Sequence, residues 1–172
     1  METTVQDRPL VDSRLLIEAL ENNFGVLQRQ VKGLTHEDSL LQLPFRGNCL
    51  NWIIGHLVER RDRMLELLDK PPLLTSEQTL RYQRNSEPIT SSDDAIPFEK
   101  LLADLGAAQE QLLGILSAMT SDDLSVIGKQ IVVGPPPQSI GEWLHFLIWH
   151  ETYHTGQTEI LRQLTGVNDK VI

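Results

Sequence analysis

The chain has almost no cysteine, no long apolar run and little that reads as a β-strand. Each lack removes a class of protein. The single cysteine, Cys49, among 172 residues rules out an internal disulfide and suits a reducing compartment. No uninterrupted apolar stretch approaches the ~20 residues of a spanning helix, so no membrane partner is expected. Residues 1–9 are polar and carry both signs of charge, which gives no signal-peptide pattern and leads to the expectation of a cytoplasmic protein. Basic residues are the scarcer charge: 15 Lys and Arg against 24 Asp and Glu leave a net charge of −9. A phosphate backbone is repelled by that balance, so nucleic acid is not expected as a partner. Only residues 130–133 read as extended, which removes the sheet-based folds.

What remains is helical. With 172 residues, 40% hydrophobic, the chain is long enough to bury a core as one domain over residues 1–172. Four segments repeat apolar residues at steps of three and four. The first spans 12–32, with Leu16, Leu20, Phe24, Leu27 and Val31 on one stripe and Gly33 as its stop. The second spans 49–69, with Asn48 as the expected cap and Pro71 and Pro72 beyond its end. The third spans 98–119. The fourth begins at Ser139, where Ser-Ile-Gly-Glu142 has the form of a capping box, and runs to Leu164 before Gly166. A loop is expected at Gly134 and the three prolines after it. The polar, proline-bearing stretch 70–97 predicts a long crossover between the second and third helices. The fold class is therefore all-α, a four-helix bundle with that crossover.

The two halves echo one another. Thr35-His-Glu-Asp38 and Thr120-Ser-Asp-Asp123 each follow a helix and read as a Thr cap with acidic residues in a new first turn. Leu50-Asn-Trp-Ile-Ile-Gly-His56 aligns with Leu144-His-Phe-Leu-Ile-Trp-His150. Two amphipathic helices align this well by chance about as often as by descent. A true repeat would bring His56 and His150 to one point in the core.

Five histidines are present: His36, His56, His145, His150 and His154. His36 lies in a charged turn. His145 precedes His150 by five residues, about 500° of helix rotation, and so faces away from it. His150 and His154 are four apart, which stacks both imidazoles on one face. Two such rings can ligate one metal ion, and a third ligand must come from another helix. His56, deep in an apolar helix, is the best donor. Three inward imidazoles favour a metal, because burying several without partners is costly.

His150-Glu-Thr-Tyr-His154 also fits H-E-x-x-H, the zinc-protease signature. One extended form needs a histidine where Ile160 stands. The other draws a glutamate from a later helix, and only residues 155–172 follow His154. Neither is satisfied, and no strand is at hand to bind peptide. A protease is set aside, with Glu151 retained as a candidate general base.

Taken together, Trp52-Ile-Ile-Gly-His56-Leu-Val-Glu and His150-Glu-Thr-Tyr-His154-Thr-Gly-Gln157 resemble the DinB/YfiT-like superfamily of metalloenzymes. That family places a histidine in its second helix and H-x-x-x-H-x-G-Q in its last. The turn Leu34-Thr-His-Glu-Asp38 and the closing Leu161-Arg-Gln-Leu-Thr-Gly166 look like it too. Thr155 departs from it, standing where Arg or His is common. The resemblance implies a four-helix bundle with a crossover, a three-histidine site for zinc, nickel or a similar ion, and a homodimer. It also implies thiol-dependent S-transferase chemistry on a small-molecule substrate.

Three imidazoles and an open position describe a catalytic rather than a structural metal. Imidazole ligation suits zinc, nickel, copper or iron. The cofactors expected are one divalent ion, zinc or nickel foremost, and a low-molecular-weight thiol. Glu151 and Gln157 are candidates to orient the ligand imidazoles, with a solvated surface position as the alternative for each. Trp52, Trp143 and Trp149 read as core or dimer contacts, and Cys49 as an inert buried thiol. Three functions stay open: the S-transferase, a metal-dependent hydrolase of a small substrate with Glu151 as base, and a non-catalytic, stress-related interaction module that the metal only stabilises.

Overall fold

A computed structural model of the chain describes residues 11–130 and 138–169. The polar stretch 1–9, the proline loop and all but Gln130 of the expected extended segment lie outside the described residues. Four long helices dominate: α1 (Ser13–Val31), α3 (Leu50–Leu67), α5 (Phe98–Leu116) and α7 (Ile140–Leu164). Short helices α2 (His36–Ser39), α4 (Ser76–Tyr82) and α6 (Ser121–Ser125) sit in the connections, with a 3₁₀ turn at Ser92–Asp94. No strand occurs among the described residues. One isolated antiparallel bridge pairs Ile127 with Ser139.

The helix starts follow from local chemistry. The Asp12 carboxylate accepts from the Arg14 amide at the start of α1. Thr35, Thr120 and Ser139 each form a full capping box, so both echoed Thr caps and the Ser139 cap are real. The α3 cap differs from expectation: Cys49, not Asn48, holds that position and makes no side-chain cap bond. The crossover is also more ordered than its polar composition suggested. Thr75 and Gln78 form another capping box, which starts α4 in the middle of it. After α1 and α7, Gly33 and Gly166 take left-handed backbone angles (φ +78° and +87°) that glycine adopts without strain.

The long helices pack around a ring, α1 on α7, α7 on α3, α3 on α5 and α5 on α1. Two apolar clusters fill it. One centres on Leu27, Ile53, Ile54, Leu57, Phe98 and Leu101. The other centres on Leu20, Met64, Leu65, Leu112, Leu116 and Leu147. Between them, α3 and α7 place buried charged residues. Arg61 of α3 forms a bidentate pair with Glu151 of α7 (2.9 and 2.8 Å). Arg61 also donates to the Leu105 carbonyl of α5 (2.9 Å) and lies 5.4 Å over the Phe24 ring of α1. One side chain thus touches all four long helices.

Candidate metal centre

The histidine site lies at the end of the first apolar cluster. His56 is buried on α3, and His150 and His154 project from α7. Residues Leu50 to Glu59 are all buried, because the crossover returns over the face of α3 that the ring leaves open. Gly55 makes that return possible. A Cβ at Gly55 would stand 2.1 Å from the Tyr82 ring, far inside contact distance. Tyr82 is pinned by its hydroxyl, which donates to Asn51 Oδ1 (2.8 Å) and accepts from the Ile96 amide (2.8 Å). Its main-chain carbonyl then accepts from His56 Nδ1 at 2.7 Å. Since a carbonyl can only accept, the proton of His56 sits on Nδ1 and the Nε2 lone pair is free.

The three imidazoles converge. One ligand atom from each lies within 4.8 Å of the others, and the His56 ring centroid is 5.2 Å from that of His150 and 5.0 Å from that of His154. His154 Nδ1 is 2.7 Å from Gln157 Oε1, which again assigns the proton to Nδ1 and leaves Nε2 bare. That Nε2 is 3.2 Å from His150 Nε2. If His150 is protonated at Nε2 it satisfies His154, but its buried Nδ1 keeps an unused lone pair. If it is protonated at Nδ1, that buried N–H has no acceptor and two lone pairs face one another. His150 Nδ1 indeed has no partner. A cation at the convergence point would take up the facing lone pairs of the second arrangement, while the His150 Nδ1–H keeps no acceptor within the protein. The residues fit a divalent ion held by neutral imidazoles.

Electrostatics keep the three imidazoles neutral. Burial pushes His56 down to about 3, with nearby Arg60 adding to the shift against the Tyr82 hydrogen bond. Burial lowers His150 to about 4, helped by His154, Arg60 and Arg84. Burial lowers His154 as well, opposed by its bond to Gln157. At neutral pH all three offer lone pairs rather than protons.

The remaining expectations divide. Gln157 lies beside His154 as described. Glu151 is fully buried, and both its oxygens are held by Arg61; it does not line the cavity at the histidines. The general-base expectation for Glu151 is therefore corrected, because a carboxylate locked in a buried bidentate pair is not free to take a proton. Its neighbour in sequence points into the site, and one helical step of about 100° turns Glu151 out of it. His145 is exposed, and His36 is half-buried, bonded to Ser92 and accepting the Phe98 amide that opens α5. Trp143 is core and Trp149 is exposed. Trp52 is more than core: its ring stacks on His56 (4.7 Å, 16°) and its N–H donates to Ser86 Oγ (2.9 Å). Thr155 is buried and donates to the Glu151 carbonyl. The sequence reading missed Arg61 and Tyr82. The Thr75 cap signalled the helix that carries Tyr82, but nothing local signalled its carbonyl.

A cavity of about 740 Å³ opens over the histidines. The loop at 43–48, the turn at 84–88 and the outer side of α7 wall it, with Trp52, Ile53 and Leu161 as apolar lining. No described helix is long and apolar enough to cross a membrane.

Comparison with known proteins agrees with this architecture. The family model of the DinB superfamily matches residues 19–158. No curated protein matches the chain. Among solved structures, a conserved protein from Enterococcus faecalis superposes with a TM-score of 0.68 at 17% identity, over 91% of this chain and 98% of that one. The colibactin self-resistance protein ClbS, solved in complex with double-stranded DNA, gives 0.60 at 16% identity, over 94% and 99%. That complex corrects the exclusion of nucleic acid drawn from net charge. Net charge sums the whole surface, whereas a duplex meets one patch of it, so −9 does not decide the matter.

Proposed function

We propose that this chain, which belongs to the DinB superfamily, is a metal-dependent enzyme whose ion is held by His56, His150 and His154, and that it is a thiol-dependent S-transferase acting on small electrophiles. The observation that carries the reading is the convergence of three neutral imidazoles, supplied by two helices, beneath an open cavity. Structural sites are closed by four protein ligands, whereas three leave a position for a reactant. Bound there, zinc or nickel would supply a Lewis-acid position at which a thiol is held as thiolate beside its electrophile.

The chain's own residues do the rest. The Tyr82 carbonyl fixes the His56 tautomer, and Gln157 fixes that of His154. Trp52 stacks on His56 and shields it from water on that side. Ile53 and Leu161 give the electrophile an apolar wall. The hydrolase reading loses the base it relied on, since Glu151 belongs to the Arg61 pair.

The test joins metal content to turnover. Protein purified without an affinity tag is expected to carry about one divalent ion per chain, and a His56→Ala variant far less. Metal-loaded protein is expected to accelerate the reaction of a thiol with 1-chloro-2,4-dinitrobenzene, and His150→Ala to abolish the acceleration. Metal-replete protein that stays inert across several thiols and electrophiles would overturn the transferase reading.

A further inference from the structure

The charge of the cavity runs against that of the chain. Acidic residues outnumber basic ones by 24 to 15, yet among the described residues no Asp or Glu lines the cavity over the histidines, while Arg46 and Arg84 both do. Among the described residues, neither guanidinium makes a hydrogen bond or ion pair. Most arginines nearby are committed: Arg60 and Arg63 to Glu59, Arg61 to Glu151, and Arg81 to main-chain carbonyls. Glu59 approaches His56 Nδ1 to 3.8 Å, but it is fully buried, is paired with Arg60 and Arg63, and does not line the cavity. Its charge is thus answered before it reaches the opening.

We propose that the cavity selects a ligand bearing a carboxylate or similar anionic group, received by Arg46 and Arg84 at the rim while its apolar body lies against Trp52 and Leu161 and its reactive end reaches the histidines. The proposal deepens the transferase reading and rests on it for the reactive end only. The anion receptor stands on the two arginines, whatever the histidines hold. A planar guanidinium on an exposed rim pairs with carboxylate through two parallel N–H bonds, which neither a neutral amide nor an ammonium ion can reproduce. Both side chains are exposed, so the preference is one of moderate size that weakens with salt.

Calorimetric titration of the full chain with 3-phenylpropionate, its neutral amide 3-phenylpropanamide and the cationic 3-phenylpropylamine reads this directly. The series is run on metal-free and zinc-loaded protein. The carboxylate is expected to bind about tenfold more tightly than the amide, with the amine weakest, and the gap to narrow at high salt. Arg84→Gln and Arg46→Gln are each expected to weaken the carboxylate alone, and the double variant to bring it level with the amide. Equal affinity for carboxylate and amide, or no binding of any of the three, overturns the proposal. So does a carboxylate preference that survives the double variant, or one present only with zinc, because the ion rather than the arginines would then be the receptor. Failure of the metal reading looks different: zinc uptake by the wild type no greater than by His56→Ala, with the carboxylate preference intact in metal-free protein.

Discussion

Two polar constellations join α3 to α7, and they end in opposite states. Arg61 and Glu151 lie in the middle of the helix ring, both fully buried, with the carboxylate held twice and the guanidinium also bonded to Leu105 and set over Phe24. His56, His150 and His154 lie toward one end, under a cavity, with a buried nitrogen that has no partner. The two sets are interleaved: His150 and Glu151 are consecutive, and Arg61 follows His56 by five residues. One set is closed within the protein, and the other keeps a nitrogen without a partner under an opening. A buried polar group left unpaired costs stability, and a fold that has already matched a buried charge pair leaves such a group at the histidines alone of the two.

The comparison breaks most visibly at the ion pair. Glu151→Ala is expected to cost about 3–5 kcal/mol in chemical denaturation, because it strands the Arg61 charge in the core. Replacing both, Arg61→Met with Glu151→Leu, should recover most of that loss. If Glu151→Ala were neutral, the pair would not be the closed structural set described. Metal is expected to act only on the other set. Zinc at about a hundred times its Kd should raise unfolding free energy by about 2.7 kcal/mol, and by nothing in His56→Ala. A stabilisation that persists in that variant would move the metal elsewhere.

Acid should separate the sets as well. The unfolded histidines titrate near 6.5, and the folded ones only near 3 to 4 for His56 and His150. Between those values the unfolded state binds more protons, so the stability of the metal-free chain rises with pH. That contribution is fully present above about 6.5 and is lost as the pH falls toward 4. His150→Ala should flatten the slope, and urea denaturation across pH 4–7 measures it. Next in size is Gly55→Ala. Its methyl would collide with the Tyr82 ring and should cost about 1–3 kcal/mol. It should also loosen metal binding, because the displaced residue carries the carbonyl that orients His56. Loss of stability with metal affinity intact would uncouple the crossover from the site.

The long helices and the shared face of His150 and His154 were legible because both rest on periodicity. Apolar residues at three and four steps fix the stripe, and the i, i+4 spacing fixes which face His150 and His154 share. The Thr caps at Thr35 and Thr120 and the capping box at Ser139 were legible for the same local reason. What escaped depends on contacts between distant segments. Arg61 read as one more charge on an amphipathic helix, because nothing within a few residues marks it as the partner of Glu151, ninety positions on. Glu151 read as a catalytic base because its motif, H-E-x-x-H, is one-dimensional, while its direction is set by rotation about the helix. Net charge misled about nucleic acid for a related reason: a sum keeps no record of where the charges lie, and the acid-free cavity in an acidic chain is the clearest instance of it.

The smallest expected effect tests the finest difference between the two sets. Gln157 touches one imidazole, at the half-buried edge of the site, and holds no helix to another. Gln157→Leu should therefore leave denaturation within about 0.5 kcal/mol of wild type. It should still weaken zinc binding by about 10- to 100-fold, since His154 would lose the acceptor that keeps its proton on Nδ1 and its Nε2 free. Gln157→Glu supplies a stronger acceptor in the same place and should restore the affinity. Competition with a zinc-binding dye separates these outcomes. Equal affinity in wild type and Gln157→Leu would mean that His154 is oriented by packing alone, and the open set would then be positioned by the same apolar contacts as the closed one.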